Sequence, residues 1–175
     1  ADGGSIIAGT TKSANGDVSG FHGGDDAWIV KLDANGTIQW QKYYGGTEGD
    51  LARSIEPAND GGYIVSGTTY SNNGDITINH GNGDIWVLKL DAFGSLQWQK
   101  TLGGSNVDQP VSAVQAVDGG FVVGGYTASY DFDVACPPEQ YQYWLIKLDA
   151  NGTLQWTSCF GGSNYEYLHD LKKTN

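Results

Sequence analysis

Short runs of alternating apolar and polar residues recur along the chain, each closed by turn-forming residues. Tyr63-Ile64-Val65-Ser66-Gly67 is aromatic and β-branched and follows an Asp-Gly-Gly turn, the signature of a strand. A long polar stretch separates it from Ile85-Trp86-Val87-Leu88-Lys89-Leu90, where Trp86, Leu88 and Leu90 fall on one face. Asp91-Ala92-Phe93-Gly94 then reads as a hairpin turn, and Ser95–Lys100 as the returning strand. After Gly103-Gly104 and a short acidic loop, Pro110–Val117 supplies a fourth strand. No segment combines a helical apolar period with caps, so the pattern predicts an all-β chain.

The pattern is periodic. Trp28, Trp86 and Trp144 are spaced by 58 residues, and so are Trp40, Trp98 and Trp156. The same step relates Lys31, Lys89 and Lys147, the three Asp-Gly-Gly turns, and the pairs Gly45-Gly46, Gly103-Gly104 and Gly161-Gly162. Residues 2–59, 60–117 and 118–175 are therefore three whole repeats, forming one repeat domain over 1–175. Four antiparallel strands per unit describe a propeller blade, with a β-trefoil lobe as the alternative. A 58-residue unit is long for a trefoil lobe.

The run from Asp84 to Gly104, with Val111–Val114 and Asp118–Thr127, resembles the bacterial β-propeller repeats that carry a Lys-Leu-Asp core and a Leu-Gly-Gly ending. It is equally similar to the related delta-sixty repeats and to Trp-rich versions in secreted bacterial proteins. The resemblance covers the whole chain and implies blades, but no general catalytic motif travels with it. In that strand order the strand before Asp-Gly-Gly is innermost, and the one ending near Lys42, Lys100 or Ser158 is the outer edge. The chain then opens on the second strand of a blade and closes, at Tyr167–Thr174, on an orphan innermost strand. Rings hold about four to eight blades. Three blades are thus expected to be half of a six-bladed ring, completed by a second copy as a homodimer or by the rest of a longer parent chain.

Composition narrows the function classes. The net charge is −11, with only nine Lys and Arg. Such a chain repels phosphate backbones and anionic headgroups, which argues against nucleic acid and membrane-surface partners. No apolar run reaches the roughly 18 residues of a membrane helix. With no initiator Met and no basic, apolar leader, the sequence reads as a processed mature protein or an excised fragment. Cys136 and Cys159 stand 23 apart, compatible with one disulfide or with two buried thiols. The strand order implied by the resemblance puts the loops that carry them on the same face of the ring, which favours the disulfide and a secreted or cell-surface location.

Candidate ligand-binding residues lie in the long loops: Asp17, Phe21, His22 and Asp26 in the first repeat, and Tyr70, Asp75, His80 and Asp84 in the second. The third repeat contributes Tyr130 and Tyr141. Asp17, Asp75 and Asp133 are equivalent and are hard oxygen ligands, so calcium is the candidate cofactor, although no segment matches an EF-hand loop. A tight turn with Asp accepting backbone N–H groups accounts for the same residues. His22 and His80 are expected to hydrogen-bond between loops. Lys31, Lys89 and Lys147 suit a recurring ion pair, because a catalytic lysine would not need three copies. The six tryptophans are assigned to structural packing, with Trp28 and Trp40 in phase with Val30, Leu32 and Ile38. Asp50, Asp108 and Glu166 recur at one position, which the repeat explains better than glycoside hydrolysis does. The expected function is a non-catalytic extracellular interaction or adhesion module, then a multivalent carbohydrate-binding propeller, then a hydrolase.

Overall fold

The computed structural model describes residues 2–18, 20–137 and 141–174. It is all-β, with eleven antiparallel strands in three sheets among those residues. The first sheet holds β1 (Ser5–Thr11), β2 (Asp26–Leu32) and β3 (Ile38–Tyr44). The second holds β4 (Asp50–Pro57), β5 (Tyr63–Thr69), β6 (Asp84–Leu90) and β7 (Leu96–Leu102). The third holds β8 (Asp108–Gln115), β9 (Phe121–Thr127), β10 (Gln142–Leu148) and β11 (Leu154–Phe160). Every sheet is a meander in chain order.

The turns explain why the strands stop where they do. Asp91 accepts from the backbone N–H groups of Phe93 and Ser95, both at 2.8 Å, and Gly94 takes a φ of +77°, where a side chain would be strained. A register shift follows at Lys89/Leu90 and at the equivalent Lys-Leu step of the other two sheets. Each lysine crosses to the Asp-Gly-Gly turn leading into the neighbouring strand, with Lys31, Lys89 and Lys147 at 2.6, 2.7 and 2.8 Å from Asp2, Asp60 and Asp118. The recurring ion pair is thus made with the aspartate of the turn that precedes the neighbouring strand. Those hydrogen bonds hold all three turn carboxyls below the usual carboxylate range.

Two apolar clusters fill the spaces between sheets. Ala27, Ile29 and Tyr44 of the first sheet meet Tyr63, Val65, Trp86 and Leu88 of the second. Ile64, Ile85, Val87 and Leu102, on the other side of the second sheet, meet Phe121, Val123, Trp144 and Ile146 of the third. β5 and β6 are consequently buried along their whole length. The strands β4 and β8 approach one another, whereas β7 and β11 lie away from that junction.

The tryptophans divide in a way the alternation did not indicate. Trp86 pairs with Thr101 but Trp98 pairs with Lys89, so the two sites of one repeat face opposite sides of the sheet. Trp40 packs edge-on against Tyr63 of the next sheet at 6.0 Å, and Trp98 does the same with Phe121 at 5.8 Å. Trp28 and Trp40 are therefore not in phase. Trp156, assigned to the core from its repeat position, is 46% exposed because no further sheet covers it among the described residues. Residues 165–174 form no strand. Leu168 and Leu171 nonetheless lie over Gly124 of β9, so the segment packs on the third sheet.

Candidate functional site

The long loops β1–β2, β5–β6 and β9–β10 and the Gly-Gly loops gather at one end of the sheets, and buried carboxylates tie them together. Asp108 Oδ2 accepts from Gly104 N at 2.7 Å and Ser129 Oγ at 2.9 Å, while Oδ1 accepts from Thr127 Oγ1. Asp50 repeats this set with Gly46, Ser71 and Thr69. At the start of β6, Asp84 Oδ2 accepts from His80 N at 2.8 Å, and Asp26 does the same with His22 N at 2.6 Å. Each imidazole Nδ1 stands 3.2 Å from the same carboxylate. The two histidines thus serve their own loop first, although His80 also stacks on Phe132 of the next loop at 4.6 Å.

These acids come in facing pairs. A Cβ on Gly103 would lie 2.6 Å from Asp84 Oδ1 and 2.7 Å from Asp108 Oδ2, and Gly45 separates Asp26 from Asp50 in the same way. Burial pushes Asp50, Asp84 and Asp108 up, Asp108 to about 6, and the paired acid adds to the rise in Asp50 and Asp108. The third repeat replaces the pair with Gln142 and Glu166 around Gly161. Paired carboxyls with raised pKa values suit acid–base chemistry in principle. Here all four side chains are fully buried, and each Oδ2 accepts a backbone N–H of its loop, whereas Asp26 Oδ1 and Asp84 Oδ1 have no hydrogen-bond partner among the described residues.

The proposed calcium ligands are distributed one per repeat. Asp75 Oδ2 accepts from Gly45 N at 3.1 Å, the Asp17 carbonyl accepts from Gln41 Nε2 at 2.5 Å, and Asp133 lies 3.9 Å from His80. Among the described residues, no three His, Cys, Asp or Glu side chains come together in a way that could hold a metal ion. Loop anchoring also uses residues that the sequence patterns did not single out. Asn73 accepts from Thr47 N at 2.9 Å and its equivalent Asp131 from Ser105 N at 2.8 Å, tying each long loop to the preceding Gly-Gly loop. Their recurrence at the 58-residue step was the available signal.

Cys136 and Cys159 are bonded, with Cα atoms 5.6 Å apart, and pin the third long loop to the end of β11. Residues 138–140 of that loop lie outside the described residues. Beside it Tyr141 gathers Tyr126, Tyr165 and Tyr167 at ring distances of 5.6, 5.7 and 5.6 Å. Tyr165 and Tyr167 are parallel and largely exposed. Tyr126 donates to Gln109 at 2.7 Å and borders a cavity of about 280 Å³ that Arg53 and His169 also line. Burial raises the Tyr126 phenol, with Arg53 working in the opposite direction. A larger cavity, about 640 Å³, opens at the opposite, short-turn end between Trp40, Tyr63 and Phe93. Of the sequence candidates, Tyr70 and Tyr130 are exposed and Phe21 is half-buried.

All four clustered tyrosines are positions where the third repeat departs from the others: Tyr126 replaces Thr68, Tyr141 replaces Gly83, Tyr165 replaces Val107 and Tyr167 replaces Gln109. The recurring positions build the frame, and the third repeat departs from the other two at these tyrosines as it does at Tyr130, Phe132 and Cys136 of its long loop. Comparison with known proteins finds no protein-family match and no characterised protein that matches this chain.

Proposed function

We propose that the three sheets are consecutive blades, half of a six-bladed β-propeller, and that the chain works as a non-catalytic extracellular interaction module whose contact surface is the tyrosine patch. Three separate meanders packed face to face, with β4 and β8 drawn together, support the blade reading over a trefoil, whose lobes share a barrel. The disulfide supports an oxidising compartment outside the cytoplasm. The observation that carries the contact surface is the cluster of four single-copy tyrosines, Tyr165 and Tyr167 exposed and Tyr126 and Tyr141 half-buried, held on a frame of recurring bonds.

A second reading, carbohydrate binding, draws on the same patch, because the parallel exposed rings of Tyr165 and Tyr167 at 6.3 Å present flat apolar faces, and Tyr126 of the same cluster borders a cavity with the polar groups of Arg53 and Gln109. Immobilised glycans and extracellular surface proteins, probed with the labelled chain and with Y141A/Y165A, test both. Retention on one class that falls at least tenfold in the variant supports the module and names its ligand class. Equal retention of both chains would remove the tyrosines from the contact.

A further inference from the structure

The first sheet has three strands where the other two have four, and its free edge carries half of a recurring joint. Thr69 and Ser71, at the end of β5, donate their hydroxyls to Asp50 of the inner strand β4, and Thr127 and Ser129 treat Asp108 in the same way. Thr11, the last residue of β1, and Ser13 just beyond it are the equivalents. Their local geometry already matches that of the completed joints. Ser13 N donates to Thr11 Oγ1 at 3.1 Å, as Ser71 does to Thr69 at 3.1 Å and Ser129 to Thr127 at 2.9 Å. Among the described residues, no carboxylate meets them.

The other half of the joint stands at the opposite end of the chain. Glu166 occupies the position of Asp50 and Asp108, accepts from Gly162 N at 3.1 Å as they accept from Gly46 and Gly104, and donates its own N–H to Tyr141 O at 2.9 Å. Beyond it Leu168 and Leu171 pack against Gly124, and residues 166–173 belong to no sheet among the described residues.

Glycines along the sheets mark the same difference. A Cβ on Gly67 would lie 2.1 Å from Leu51 O, and one on Gly125 would lie 2.2 Å from Gln109 O, so the inner strand's backbone presses against both. Their equivalent Gly9 meets only Trp28 O, at 4.0 Å. Trp40 and Trp98 seat on the turn glycines Gly94 and Gly152 of the following sheet, each within 2.8 Å of a Cβ placed there. The equivalent Gly36 has nothing within 4 Å, while Trp156 is left uncovered. Ile7 is 47% exposed, whereas Val65 and Val123, its counterparts, are fully buried.

We infer that the β1 edge receives the 166–173 segment of a second copy of this chain. Glu166 of that copy bonds Thr11 and Ser13, its Tyr167 carbonyl lies against Gly9, and its Trp156 seats on Gly36. This deepens the blade reading above and rests on it. Both halves of the joint are present in each copy, so a pair of copies makes the contact twice.

Sedimentation of the full chain tests this directly. The wild type is expected at twice its 18.6 kDa mass. Gly9→Ala, which meets nothing closer than 4.0 Å within one chain, is expected to keep wild-type circular dichroism while its mass halves. The double variant T11C/E166C is expected to run as a disulfide-linked dimer without reductant. A monomeric wild type, a dimeric G9A, or failure of T11C and E166C to join two chains would each overturn the inference. A monomer that still binds its ligand overturns the interface alone, and a dimer with no ligand among the surfaces tested overturns the module alone.

Discussion

The first and second sheets are written in the same repeating sequence and are buried very differently. β5 and β6 are buried at every position, while β1, the counterpart of β5, is exposed or half-buried at all positions but Thr11. The residues are not the cause, since Ile6 and Ile7 are as apolar as Ile64 and Val65. The second sheet has a neighbour on both faces and a fourth strand, β4, beside β5. The first has one neighbour and no fourth strand beside β1 among the described residues. A strand in this architecture is thus amphipathic or wholly buried according to what lies beside it, and a repeat position acquires its energetic weight from its neighbours.

That contrast can be broken at several points. The largest difference is expected at the tryptophans: Trp86→Ala empties a fully buried site and should cost about 4 kcal/mol in urea unfolding, whereas Trp28→Ala, in a half-buried site, should cost less than about 2 kcal/mol. Equal losses would show that the first sheet is covered as fully as the second. Replacing both Cys136 and Cys159 by Ser releases a loop closed over 23 residues and should lower stability by about 3 kcal/mol, read from the denaturation midpoint with and without reductant. Gly67→Ala forces the Leu51 carbonyl aside and should cost about 2 kcal/mol, against about 0.5 kcal/mol or less for Gly9→Ala measured on the dissociated chain.

Smaller effects concern charge. Lys89→Met leaves the packing of the stem and removes the bonds to Asp60 and Gln97, for an expected loss of about 1 kcal/mol. The weakest is the pH response. Asp108, raised to about 6 by burial, holds a proton in the folded chain over a range where the unfolded carboxyl, near 3.8, has released it. Stability should therefore fall as pH rises through that window. Asp60, held low by Lys89, acts in the opposite sense, and its contribution disappears as pH drops below 3.8. Urea midpoints should peak between the two ranges, and a midpoint that rises steadily toward neutral pH would show Asp108 ionised at no cost.

Much of the frame was legible because it recurs. Strand positions, hairpin turns, the lysine ion pairs and the facing of Trp86 with Leu88 and Leu90 follow from alternation and from the 58-residue step. The facing of Trp40 was not legible, since the one-residue shift at the Lys-Leu step reverses the phase between adjacent strands and leaves no mark in the alternation. Nor was the tyrosine patch. Of its four members only Tyr141 stood out, because Tyr126, Tyr165 and Tyr167 come from separate segments that converge only when the end of the chain packs over β9. The loop acids were legible as residues but not as pairs, because Asp84 and Asp108 are brought together across Gly103 by sheet register.

By itself, the sequence determined an all-β chain of three repeats and the turn chemistry that ends each strand. Period, glycine and alternation are local properties, and local sterics decide them. Only the tertiary structure decided which copy of a repeated residue is buried, which carboxylates face each other and which tyrosines meet. Those depend on neighbours distant in sequence, and three identical sequence positions can stand in three different surroundings.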